Sequence, residues 1–384
     1  MGAVDTAHAP GIEAIREQEF PIVREYTYLN IAAQGPWPTR TVRAVERFAA
    51  VSQFPGIERA GAEPPAQPRV RASLARLIGA REDEIVFTGN TTHGMNICAQ
   101  GIAWRPGDNV VVPAREFPSL MATWAHLRRR GVEVRFVPVE GAGPTVDDIM
   151  ARVDGRTRAV SCSAITWDTG YRADLEDLGR RCAESGCLLI VDGVQAVGAR
   201  QLDVKRLRIS ALATHAYKWL LAGFGLGALY VAPEALDRIN PTFVGAGSVA
   251  GDVDSAGGDL AWKPGAARFQ AGGLNSTGMA ALAVSLSLID EVGIATIEER
   301  GRALADALVA GLRRKGIQVV SSPDPARRSA ITVFTLGSHE RDAALVEQFA
   351  AQGIIVAHRP LGVRVSPNFY NTEEEIGRLL DALP

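Results

Sequence analysis

Four of the 41 basic residues are lysine (Lys205, Lys218, Lys263 and Lys315) and the other 37 are arginine. A chain that has moved its positive charge onto arginine makes each remaining lysine a candidate for chemistry. Lys205 lies in a polar stretch, Lys263 in a Pro/Gly-rich loop, and Lys315 follows Arg313 and Arg314 at an expected helix C-terminus. Lys218 has no such explanation. It stands in His215-Ala216-Tyr217-Lys218-Trp219-Leu220, after an expected strand and before a glycine-spaced turn. Among aromatic and apolar neighbours an ammonium loses hydration, its pKa falls, and the neutral amine becomes a nucleophile for carbonyl groups. Taken alone, the same lysine reads first as a snorkelling side chain whose stem covers apolar surface.

Two further features change that balance. The apolar run Leu188-Leu189-Ile190-Val191 ends in Asp192, and a carboxylate at the carboxyl end of a parallel strand points into the crevice where open α/β sheets bind ligands. By itself it reads equally as a helix N-cap. Upstream, Phe87-Thr88-Gly89-Asn90-Thr91-Thr92 reads as strand, tight turn and helix start. The N–H groups there, with the hydroxyls of Thr91 and Thr92, form a cradle for a phosphate. A desolvated lysine, a strand-end aspartate and a phosphate-sized cradle are the requirements of pyridoxal 5′-phosphate (PLP). Lys218 forms the Schiff base, Asp192 keeps the pyridine nitrogen protonated, and the helix start holds the phosphate.

The elements that must position these groups are legible as alternating strands and amphipathic helices. Strands are expected at 84–88, 109–113, 133–138, 159–163, 188–192, 209–214 and 227–231, with helices at 70–77, 119–130 and 175–184 between them. Such alternation implies an α/β fold with a mostly parallel seven-stranded sheet. A glycine-rich stretch at 245–258 interrupts the rhythm, and helices at 277–289 and 297–312 follow. The expected division is an N-terminal segment, 1–27, packing on the small domain, a large PLP-binding α/β domain, 28–265, and a smaller C-terminal α+β domain, 266–384.

Composition narrows the partners. With 41 basic against 43 acidic groups and a formal charge of −2, there is no electrostatic reason to expect nucleic acid or a membrane surface. The four cysteines, Cys98, Cys162, Cys182 and Cys187, contain no CxxC pair and suit a reducing cytoplasm. No leader-like or membrane-spanning apolar run is expected. A nicotinamide-binding Rossmann enzyme would need its glycines directly after the first strand, whereas here they cluster at Gly223, Gly225 and Gly227, after Lys218.

In this order the motifs resemble the class V aminotransferase family, which also contains cysteine desulfurases, kynureninases and isopenicillin N epimerase. The resemblance runs from Tyr28-Leu29-Asn30-Ile31-Ala32 through Glu116-Phe117-Pro118-Ser119, Asp192-Gly193-Val194-Gln195 and Tyr217-Lys218-Trp219 to Val363-Arg364-Val365-Ser366. It implies a fold-type I PLP enzyme, a homodimer with active sites at the subunit interface, acting on a small-molecule α-amino acid. It places Phe117 as the ring stack, Gln195 as the O3′ contact, and His215 and Tyr217 near the phosphate. Arg364 becomes the clamp on the substrate carboxylate, which its bidentate donors suit, and Asn30 and Ala32 line the substrate side.

The departures from that pattern are informative. The loop before Arg364 carries no cysteine, so a persulfide route is not expected. Phe117 stands where many relatives have histidine, so proton transfer falls to Lys218, with His93 and His215 as lesser candidates. Gly273 replaces a hydroxyl residue that in relatives reaches the neighbouring subunit's phosphate, so the resemblance leaves that cofactor contact to its backbone N–H. Transamination ranks first because it needs no additional residue, ahead of C–S lysis by β-elimination and epimerisation. A catalytically inactive PLP-fold binding protein is the reading from another class. Side-chain specificity is expected around Trp167 and residues 245–258.

Overall fold

The structure, a computed structural model, describes residues 11–55, 66–251 and 260–384. Helix α1 (Ile12–Glu19) and the short strand β1 (Thr27–Tyr28) lead into α2 (Thr39–Ser52) and α3 (Ala66–Ile78). Strands and helices then alternate: β2 (Ile85–Thr88), α4 (Thr91–Gly101), β3 (Asn109–Pro113), α5 (Pro118–Ala125), β4 (Glu133–Val137), α6 (Val146–Met150), β5 (Thr157–Ser163), α7 (Leu175–Glu184), β6 (Leu188–Asp192), β7 (Ala211–His215) and β8 (Gly227–Val231).

These seven strands form one sheet in the order β2-β8-β7-β6-β5-β3-β4. β8 runs antiparallel to both its neighbours, and every other pair is parallel. All five residues of β6, Leu-Leu-Ile-Val-Asp, are buried, and a continuous apolar run rather than alternation is what a strand covered on both faces requires. The parallel order brings the carboxyl ends of β5, β6 and β7 to one edge, so Ser163, Asp192 and His215 converge there.

After the sheet come α8 (Ser276–Val292) and α9 (Ile294–Arg314), then β9 (Gln318–Val319), β10 (Thr332–Thr335), α10 (His339–Ala351), β11 (Ile354–Ile355), β12 (Ala357–Arg359), β13 (Gly362–Val365) and α11 (Glu373–Asp381). Four of these strands form an antiparallel sheet, β12-β13-β10-β9, while β11 pairs in parallel with β1. Among the described residues most buried apolar side chains fall into two clusters. The second draws on Leu29 and on the chain from Leu304 onward. Helix α8 belongs instead to the first, through Met279, Leu282, Leu286 and Ile289, and lies against α2 and α3. Residues 11–27 touch both bodies. Ile15 and Phe20 join the first cluster, with Phe20 stacked on Tyr370 at 4.2 Å, while Arg16 pairs with Glu375 of α11 at 2.9 Å.

Several expected elements differ at their ends, and two differ for a local reason. The helix expected at 119–130 is α5 followed by a 3₁₀ turn, His126–Arg130, ended by Gly131 at φ 74°. The tighter winding seats Leu127 in the core and leaves Arg128, Arg129 and Arg130 at the surface. The strand expected at 209–214 is Ala211–His215, because Ile209 closes the preceding turn by donating its N–H to Val204 O. Among the described residues no single helix is long and apolar enough to cross a membrane, although the bent pair α8–α9 passes by length and composition.

Candidate active site

At the carboxyl edge of β5, β6 and β7 lies a cavity of about 320 Å³. Its wall includes Thr91, Thr92, Phe117, Ser163, Trp167, Asp192, Gln195, His215, Tyr217 and Lys218. Lys218 is 8% exposed, and its Nζ sits 5.7 Å from the ring centroids of both Phe117 and Tyr217. Burial, reinforced by the charge of Arg364, lowers its ammonium to about 8, with Asp192 opposing the shift. Asp192 Oδ1 accepts the Val194 N–H at 2.9 Å, and burial pushes its carboxyl up to about 6. The Gln195 amide is held at both ends: Nε2 donates to Ala32 O at 3.1 Å, and Oε1 accepts from Trp219 Nε1 at 2.6 Å.

One end of the cavity gathers polar groups without protein partners. Asn90, not a threonine, caps α4, its side chain accepting the His93 N–H at 2.9 Å. Thr91 is therefore spared that duty, and its Oγ1 is buried with no protein partner. The first N–H groups of a helix likewise lack intrahelical acceptors. Opposite stands a stack in which Tyr217 lies between His215, 3.8 Å away, and Phe224, 4.0 Å away. His215 Nδ1 is also buried and unpartnered, and burial, followed by the charge of Lys218, drives the imidazole down to about 3, so it is neutral.

The other polar groups stand behind the wall. Arg364 is 2% exposed; its Nη1 donates to Trp167 O at 2.8 Å, while Nε and Nη2 are buried with no partner. Burial and the charge of Arg359 lower its guanidinium to about 9. A buried cation with two unused donors is costly to fold and suited to an anionic ligand. Asn30 forms a parallel bridge with Ser366, two residues beyond Arg364, and its Oδ1 is unpartnered. Ala32 meets the cavity only through Gln195.

The segment between Asn30 and Gly35 also seats the lysine turn. The Gly35 N–H donates to Tyr217 O at 2.9 Å, and a Cβ on Gly35 would collide with the Lys218 carbonyl oxygen. Gly35→Ala is therefore expected to displace that turn and cost about 1–3 kcal/mol, read as a lower midpoint in denaturant unfolding.

Some expected residues lie elsewhere. His93 is not on the cavity wall; its Nδ1 accepts the Gly89 N–H at 3.3 Å and its ring meets Phe243 edge-on. Gly273 is exposed and away from this cavity. Of the stretch 245–258, residues 252–258 lie outside the described residues. All four cysteines are buried, none lines the cavity, and burial raises the Cys98 thiol to about 12. Conversely, sequence reasoning missed Ser163 on the wall, Glu116 behind it and Arg359. Arg359 and Arg364 face the same side of the β12–β13 hairpin, since Arg359 pairs with Gly362 and Ala357 with Arg364. That register was open to inference from the tight Pro360-Leu361-Gly362 turn.

Comparison with known proteins agrees with this geometry. The family profile described as "Aminotransferase class-V" matches residues 27–379. A probable cysteine desulfurase of Methanothermobacter thermautotrophicus is 32% identical over 95% of this chain and 96% of its own length. Among solved structures, a complex of the cystine C–S lyase C-DES with its product cysteine persulfide superposes with a TM-score of 0.86 at 26% identity, covering 94% of this chain and 98% of that one. A C-DES mutant with glycine covalently linked to its PLP cofactor does so with a TM-score of 0.85 at 27% identity, covering 95% and 98%. Cavity, strand order and sequence agree, and the chain belongs to the class V aminotransferase family.

Proposed function

We propose that the protein is a PLP-dependent enzyme that transforms an α-amino acid, with transamination as its reaction. The observation that carries this reading is the opposition of Lys218, the one lysine on the cavity wall, to a buried Asp192 and to unpartnered anion-seeking groups. The residues fit the cofactor. Thr91, Thr92, the α4 N–H groups, His215 and Tyr217 supply the phosphate end. Asp192 takes the ring nitrogen, Gln195 has one N–H left for the ring oxygen, and Phe117 offers an aromatic face. When bound, PLP provides an electron sink for negative charge at the substrate Cα.

The rest of the chemistry falls to the chain. Arg364 presents Nε and Nη2 to the substrate carboxylate, which fixes how the amino acid lies. Asn30 and Ala32 border that side. Lys218 Nζ, poised near 8, removes the Cα proton and can return it. His215 stays neutral and acts as a hydrogen-bonding group rather than a proton carrier. Phe117 and Trp167 meet edge-to-face at 5.6 Å on the cavity wall and give it an aromatic side.

A second reading is C–S lysis by β-elimination, favoured by the absence of any thiol on the cavity wall and by the likeness to a cystine C–S lyase. Product analysis separates the two. The purified protein is incubated with a panel of amino acids, including alanine, glutamate and cystine, with and without a keto-acid acceptor. Sustained turnover that requires the acceptor marks transamination. Pyruvate with ammonia and a persulfide from cystine, without acceptor, marks elimination. Protein that takes up no PLP and yields no product overturns the proposal.

The assembly we propose is a homodimer. Phe224 lines the cavity and Phe243 packs on His93, and both are exposed, at 59% and 68%; such large exposed aromatic faces beside the site are what a second copy would cover. Four free cysteines suit a cytoplasmic setting.

A further inference from the structure

Glu116 lies immediately before Phe117 and is 5% exposed. Its carboxyl takes both donors of one residue: the Ser163 N–H reaches Oε1 at 2.7 Å, and the Ser163 hydroxyl donates to Oε2. Ser163 in turn is the register partner of Asp192 on the adjacent parallel strand, so the two side chains share a face, and both line the cavity. The Ala164 N–H closes the unit by donating to Asp192 O at 2.9 Å. A second buried carboxyl thus sits one strand away from the one assigned to the cofactor ring, with no cation bonded to it among the described residues.

The charges that act most on Glu116 are negative, while the cation that acts on Asp192 is Lys218. Asp192 comes from β6 and Asp168 from the loop after β5, and both disfavour a charge on Glu116. The Cys162 thiol on β5 is raised by burial and by Glu116 and Asp192 together. The neighbouring Arg115 is turned to Asp168, its Nε 3.5 Å from Oδ2. Burial, against the two Ser163 donors, brings Glu116 up to about 7. The pair therefore resists carrying two bare charges unless a cation is placed against one of them.

We propose that Glu116, fixed by Ser163, is a positioning residue that acts through Asp192: its carboxylate makes a bare charge on Asp192 unfavourable, so the site selects and keeps a cofactor ring protonated at nitrogen. This rests on the PLP reading above. The role is electrostatic, transmitted across β5 and β6, and requires no contact between Glu116 and the cofactor.

The test follows the ring-nitrogen proton directly, by ¹⁵N NMR of protein loaded with ¹⁵N-labelled PLP across a pH series, alongside the PLP dissociation constant and the melting temperature. In Glu116→Gln the ring nitrogen is expected to lose its proton about one pH unit earlier than in the wild type, and PLP is expected to bind more weakly. Ser163→Ala, which leaves the carboxyl in place but unfixed, shifts the titration in the same direction by less, and Glu116→Asp restores part of it. A Glu116→Gln protein that melts normally and titrates with the wild type overturns the inference while leaving the PLP reading intact. Should Glu116→Gln fail to fold, a Ser163→Ala titration coincident with the wild type overturns it equally. Failure of the wild type to bind PLP overturns both.

Discussion

Lys218→Ala is expected to lower turnover of any amino-acid substrate by at least ~10³-fold, because one side chain supplies both the covalent attachment and the proton transfer. No neighbour can substitute. Lys205 pairs with Glu84, Lys315 reaches the Leu383 carbonyl, and neither these nor Lys263 lines the cavity. His215 is on the wall, but an imidazole held near 3 is too weak a base near neutral pH. The variant should bind PLP reversibly and lose it on dialysis. Borohydride treatment should add the cofactor mass to the Lys218 peptide of the wild type and to no peptide of the variant.

The same residue gives a pH dependence with a definite sign. Burial lowers the Lys218 ammonium to about 8, so below that pH the amine is mainly protonated and cannot attack the PLP carbonyl. Capture of PLP by cofactor-free protein should therefore accelerate as pH rises towards 8 and level off above it, roughly two units below the midpoint of an ordinary lysine. A capture rate that keeps rising to pH 10 would show that the niche does not desolvate the amine. Stopped-flow absorbance reads this without any turnover.

Much of this arrangement was legible in the sequence for identifiable reasons. Strands β3, β5 and β6 are largely apolar runs set off by polar or glycine turns, and buried parallel strands advertise themselves that way, whereas β4 at the sheet edge alternates charged and apolar residues. Lys218 stood out because lysine is rare in this chain, and Asp192 because a charge ended an otherwise apolar strand. What escaped was information carried between distant segments. Helix α8 follows the expected boundary at 265 yet packs on α2 and α3, and no local pattern tells a helix which of two cores it will cover. Glu116 and Ser163 are 47 positions apart and look unremarkable until the β3–β5–β6 order makes them neighbours. Thr91 enters the anion cradle in the sequence through its place at an expected helix start. Its free hydroxyl depends on Asn90 taking the cap, which only the geometry reveals.

Replacing Arg364 should separate activity from stability. Its Nε and Nη2 are buried without acceptors, so the folded protein carries a desolvated charge that no carboxylate bonds and that Asp168 offsets only from a distance. Supplying a substrate carboxylate satisfies both donors. Removing the guanidinium should cost about 2–5 kcal/mol of transition-state stabilisation, a fall in kcat/KM of roughly thirty- to several-thousand-fold. Both constants should move, because the fork orients the substrate as well as holding it. Arg364→Lys retains the charge but not the planar pair of donors and should recover little. A matching amine without the carboxylate should react at similar rates with the wild type and Arg364→Met, which locates the loss at that group. Arg364→Met also preserves much of the buried stem, and it should raise the melting temperature in the absence of substrate, since a desolvated charge with two unpartnered donors is gone. Greater stability with lower activity is the signature of a residue kept for binding rather than folding. A variant that is both less stable and unaltered towards carboxylate substrates would place Arg364 among the structural side chains instead.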